Sequence, residues 1–144
     1  MPSSPTSSHR VLSLLPDADR DWIHQLIADW QVIADMSVSD LVLWVRSETG
    51  RFVAVAHQRP STGSTVHLEE VIGHRMPASR EVMAIEAFAS GETMIAMTPQ
   101  WTGSFAVREE YVPVMRAGSA IAVMTRETAV GLMRGGRHMD TFLT

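Results

Sequence analysis

No cysteine occurs in these 144 residues. Disulfides, thiolate catalysis, cysteine-held zinc and thioether-linked chromophores are therefore excluded together. Lysine and asparagine are also missing, so every basic side chain other than histidine is one of 12 arginines. Schiff-base and P-loop chemistry both need a lysine and are excluded with it. Both missing residues use AT-rich codons, and a GC-rich genome is the simplest source of the bias. No apolar run approaches the ~20 residues that cross a bilayer. The N-terminus, MPSSPTSSHR, has no apolar signal core behind a basic start. The expected location is cytoplasmic, with no membrane contact. The net charge is −4 and the arginines are scattered, which argues against nucleic acid as a direct partner.

What remains is enough for one domain with a real core, since 45% of the residues are hydrophobic. The Ser- and Pro-containing stretch 1–16 reads as a disordered leader. Asp17 to Met36 reads as a helix, capped by Asp17 or Asp19, with Trp22, Ile23, Leu26, Ile27, Trp30 and Ile33 at helical spacing. Leu41–Arg46 and Phe52–His57 flank Glu48-Thr49-Gly50 and read as a β-hairpin. If Ser47 faces Arg51 across the turn, Trp44 shares one face with Ala54 and Ala56. Leu41, Leu43 and Val45 then share the other with Val53 and Val55. Residues 60–77 read mostly as loop. Ser79 is placed to cap a helix over Arg80–Ala89, which Gly91 ends. Thr93–Thr98, Ser104–Met115 and Ser119–Thr125 read as strands, the last two joined at Met115-Arg116-Ala117-Gly118. Arg126–Met133 reads as a final helix, interrupted by Gly135-Gly136 and resumed over His138–Thr144. Two hairpins and terminal helices predict an α+β fold: an antiparallel sheet of five or six strands, with the first and last helices on one face.

No catalytic constellation stands out. His67, Glu70 and His74 could share a helical face and hold a metal, but the spacing is no recognised signature and Gly73 weakens the helix. A solvated loop is the simpler reading, and no metal is expected. His24 lies in a helix without the charged neighbours of a phosphoacceptor histidine. Ser61, Ser64 and Ser104 have no nucleophile-elbow context. Glu109 and Glu110 are adjacent on a strand and must point to opposite faces. The methionines suit either a core or an adaptable binding surface. Arg59 and Arg116, at strand ends, could hold an anion in bidentate fashion. A ligand pocket is expected near Trp44, Arg59, Met83, Trp101 and Arg116.

The strings DLVLWVRSETGRFVAVAHQRPSTG and ADWQVIADMSVSD, the Arg59-Pro60 step with its Thr62-Gly63 loop, and Ala122-Val-Met-Thr-Arg126 carry a resemblance. The chain resembles the N-terminal GAF domain of actinobacterial PdtaS-type sensor histidine kinases, of the HisKA-2 class. The resemblance implies a regulatory GAF sensor domain over residues 17–134 and the start of a linker over 135–144. A PAS domain and a kinase core would follow. It further implies a cytosolic two-component system, a homodimer, and a response regulator of the kind that carries an ANTAR output domain. No catalytic activity is expected in this chain itself. A bilin is excluded without cysteine. The Asn-Lys-Phe-Asp motif of the cyclic-nucleotide branch is impossible without lysine and asparagine. Small-molecule ligand and cofactor therefore stay unassigned. Two alternatives stand beside this reading: a ligand-free GAF spacer used for dimerisation, and a small stand-alone enzyme on the same fold.

Overall fold

The structure is a computed structural model and describes residues 5–37, 39–61, 71–99 and 106–129. The elements run α1 (Pro5–Ser13), α2 (Asp17–Ala28), α3 (Trp30–Ser37), β1 (Asp40–Arg46), β2 (Phe52–Gln58), α4 (Ala78–Ser90), β3 (Met94–Pro99), β4 (Ala106–Arg116) and β5 (Ser119–Ala129). The strands form one antiparallel sheet in the order β2-β1-β5-β4-β3. This is the α+β, five-stranded antiparallel architecture that the two hairpins predict.

The helices lie on both faces. Ile23, Trp30 and Ala34 of α2 and α3 pack with Leu41, Leu43 and Val45 on one face. Ala84 and Ala87 of α4 pack with Val42, Trp44 and Tyr111 on the other. Where a disordered leader is expected, α1 adds to the first face. Its Val11 is buried, and Leu12 and Leu15 pack beside it, an apolar stripe that the Ser-rich residues before it obscure. The single helix expected over 17–36 divides at Asp29, whose φ of −100° and ψ of 2° leave helical geometry. Neither Asp17 nor Asp19 caps α2, which starts after Pro16 without a side-chain cap. Asp17 instead pairs with Arg20, and Asp19 receives Arg116 at 2.8 Å.

The first hairpin closes as its sequence predicts, with the Ser47 amide donating to the Arg51 carbonyl at 2.7 Å. Trp44 pairs with Ala54, but Leu43 pairs with Ala56 across a β-bulge. The extra residue shifts the alternation. Val55 and Ala56 both join the α1–α3 face, so Ala56 does not share the Trp44 face as expected. Helix α4 begins after Pro77, without a Ser79 cap, and ends at Gly91 with a left-handed φ of 73°. Strand β5 continues past Thr125 through Ala129, where a helix from Arg126 is expected, because β4 offers pairing partners as far as Val107. The rest of that expected helix, the expected helix over 138–144 and the expected strand start at Ser104 lie outside the described residues.

Candidate functional site

The pleat of three adjacent strands aims a polar set at the first turn of α4. Trp44 on β1, Thr125 and Glu127 on β5, and Glu109 and Tyr111 on β4 alternate onto the same face. Arg80 of α4 reaches into them. Its Nε lies 3.0 Å from the Tyr111 hydroxyl and 3.3 Å from Glu109 Oε2, and its Nη2 lies 3.4 Å from Glu127 Oε2. The guanidinium carbon stands 5.9 Å from the Trp44 ring and 5.6 Å from the Tyr111 ring, distances at which a cation is attracted to an aromatic face. Tyr111 donates to Glu109 Oε1 at 2.7 Å. Trp44 Nε1 donates to Thr125 Oγ1 at 2.8 Å, and that hydroxyl donates to Glu127 Oε2 at 2.8 Å.

The electrostatics follow from burial. Burial alone would lower the Arg80 pKa, but Glu127, Tyr111 and Glu109 outweigh it and raise it. Burial pushes the Tyr111 hydroxyl up, against the opposing pull of the Arg80 charge. Asp40, opposite Glu127 in the β1–β5 ladder, contacts His57 Nε2 at 2.7 Å, and each of these two side chains is only 1% exposed. The face under α4 thus sets three carboxylates against one guanidinium and one imidazole. Such an array can hold a fixed internal geometry or recognise a polar ligand. No cluster of metal ligands occurs among the described residues.

Of the residues expected to line a pocket, Trp44 and Met83 meet in the α4-side core. The other described ones do not join them. Arg59 is exposed just beyond β2, its carbonyl 3.4 Å from Gln31 Nε2 of α3. Arg116 sits at the β4–β5 turn and pairs with Asp19 of α2. Trp101 lies outside the described residues, as do His67, Glu69, Glu70, Ser64 and Ser104. His24 is exposed on α2. Ser61 donates through its hydroxyl to Asp35 at 3.1 Å. Glu109 and Glu110 do point apart: Glu110 accepts from Arg126 at 2.6 and 2.8 Å on the face opposite Tyr111. The sequence reading misses Arg80, Tyr111, Glu127 and the Asp40–His57 pair. A signal existed in Glu109-x-Tyr111 and Thr125-x-Glu127, polar residues two apart on strands, but ending β5 at Thr125 hid the second.

Residues 11–144 match the family described as the GAF domain of the histidine kinase PdtaS. The chain belongs to this family. The sensor histidine kinase PdtaS of Mycolicibacterium smegmatis is 32% identical over 125 residues, covering 85% of this chain and 25% of that protein. The PdtaS of Mycobacterium tuberculosis is 28% identical over 139 residues, covering 90% and 26%. The chain thus spans about a quarter of the length of these relatives. Among solved structures, the sensor region of a sensor histidine kinase aligns with a TM-score of 0.63 and 27% identity, over 88% of this chain and 42% of that one. An IclR transcriptional regulator from Alicyclobacillus acidocaldarius aligns at 0.51 with 16% identity, over 76% and 57%, a likeness of fold alone. The Arg80 cluster lies within the residues that match this GAF domain.

Proposed function

We propose that this chain is the regulatory sensor module of a two-component histidine kinase, coupling events on its α4 face to the geometry of α2 and α3. The match of residues 11–144 to a histidine-kinase GAF domain carries this reading. The kinase core, which would follow a PAS domain, phosphorylates a response regulator of the ANTAR-output kind. The system works in the cytoplasm as a homodimer. In this proposal Trp44 and Met83 keep the ligand-side role expected of them, joined by Arg80 and Tyr111. Arg59 and Arg116 instead tie the sheet ends to α3 and α2.

Autophosphorylation of the full-length kinase tests the sensor role. Tyr111→Phe removes one hydroxyl from the cluster and leaves the core volume intact. We expect it to change the autophosphorylation rate at least about threefold while the fold, read by circular dichroism, persists. An unchanged rate from a folded variant would refute control through this cluster.

The ligand-free spacer is favoured by one observation: Arg80, Tyr111, Glu109, Thr125 and Glu127 are already tied to one another by hydrogen bonds and ion pairs, with Arg80 Nη2 left without a hydrogen-bond partner among the described residues. In that case Tyr111→Phe lowers the melting temperature without altering kinase rate.

A further inference from the structure

A second site lies across the sheet from Arg80, where α1 crosses the first hairpin. A cleft of about 200 Å³ opens between Arg10 and Val11 of α1, Leu14 just after it, the turn Ser47–Thr49, Val53 of β2, and Gly73 and Arg75. Its chemistry is divided. The floor is apolar: Val11 and Val53 are each 5% exposed, and Leu14 is 51% exposed. The rim carries two guanidiniums and the two hydroxyls of Ser47 and Thr49, 2.8 Å apart. Arg75 has no side-chain hydrogen bond or ion pair among the described residues, and its backbone is fixed by a bridge to Val53. Arg10 is held at 2.6 Å by Glu48 alone, with both side chains more than half exposed. A solvated pair of this kind is worth little and is readily exchanged.

We propose that this cleft binds a small organic carboxylate with a short apolar body, of the size of hexanoate or benzoate. Arg75 and Arg10 take the carboxylate, since a guanidinium fork matches its two oxygens. Whichever of the paired Ser47 and Thr49 hydroxyls does not donate to the other donates from the turn, and Val11, Leu14 and Val53 cover the body. Glu48 is the internal competitor: a ligand must displace it from Arg10. Occupancy would clamp α1 to the hairpin, so this is an effector site separate from the α4 face, and it stands whether or not that face senses anything.

Two-dimensional amide NMR of the chain, titrated with hexanoate, tests the site and reports the fold of each variant in the same spectrum. Hexanoate should give saturable shifts confined to Leu14, Ser47–Gly50 and Gly73, and hexanol of equal length should give none. Arg75→Gln and Arg10→Gln should each weaken binding about tenfold, the loss of one charge-assisted contact. Glu48→Gln should tighten it several-fold by freeing Arg10. The proposal is overturned if shifts fail to saturate at tens of millimolar, if hexanol matches hexanoate, or if Glu48→Gln weakens binding.

Discussion

At the scale of single residues, Trp30 and Arg80 show how differently burial acts on apolar and charged side chains. Trp30 is 1% exposed, and Trp30→Ala should cost about 3–5 kcal/mol in urea unfolding. Its indole nitrogen has no hydrogen-bond partner among the described residues. Trp30→Phe removes that unsatisfied group along with some area, so it should cost under about 1.5 kcal/mol. Arg80 is the opposite case. Arg80→Met leaves Glu109 and Glu127 buried without their cation and should destabilise by about 3–5 kcal/mol. Adding Glu109→Gln and Glu127→Gln should restore most of that, and a triple variant as unstable as the single one would show that Arg80 acts through packing. Asp35 offers a pH readout. It accepts from the Ser61 amide at 2.7 Å, and this bond, with those from the Ser61 hydroxyl and Gln31, holds its pKa below the ordinary value despite some desolvation. A carboxylate lowered on folding stabilises above its unfolded pKa of about 4 and loses that contribution as the pH falls through the folded value. Hydrogen exchange at the Ser61 amide, scaled for intrinsic rate, should therefore stay flat from neutral pH to about 4 and accelerate below. Asp35→Asn should show the fast rate throughout.

At the scale of elements, the β4–β5 turn carries a correctable strain. Ala117 has φ 54° and Gly118 φ 82°, the double left-handed geometry of a tight hairpin turn that favours Asn-Gly. Alanine pays for its Cβ there, so Ala117→Asn should raise stability by about 0.5–1 kcal/mol and lift the melting temperature. Gly118→Ala would meet no atom within 4 Å; its expected loss of about 1 kcal/mol is conformational alone. Local rules made both hairpins and the Gly91 stop legible in the sequence, because turn glycines and strand alternation act over a few residues. Longer-range causes stayed hidden. The length of β5 is set by its pairing with β4, not by its own mixed Met-Thr-Arg-Glu-Thr composition. The division of α2 from α3 at Asp29 has no Gly or Pro to announce it. The Arg80 cluster draws on β1, β4, β5 and α4, and no spacing along the chain shows that these meet.

At the scale of the whole molecule, the apolar surface left on α2 and α3 bears on assembly. Trp22 of α2 is 47% exposed and Val32 of α3 is 62% exposed. These residues are the proposed homodimer contact, an isologous pairing of α2 and α3 with a second copy. Light scattering should give a mass rising from monomer to dimer across micromolar concentrations. Trp22→Glu should hold the chain monomeric, and a mass that stays monomeric for the unaltered chain up to high micromolar concentration would remove this contact. The fold as a whole was readable because antiparallel pairing follows from hairpins. The pocket residues were not, since Arg59 and Arg116 were grouped by residue type while the sheet sends them to different ends. The bulge opposite Leu43 carries the furthest consequence. Strict alternation from Trp44 and Ala54 would turn His57 toward α3 and Gln58 toward α4. The extra residue reverses this, so His57 meets Asp40 in the interior and Gln58 reaches Gln31 outside. The outer half of β2 is thus governed by parity. Removing one of the two residues at the bulge, Val55 or Ala56, would restore plain alternation and keep His57 and Gln58 on their present faces, while removing both would turn the imidazole away from Asp40 and an amide toward it. A relative that lacks the bulge should therefore be shorter by one residue at this point, and a two-residue deletion should be compensated within the strand.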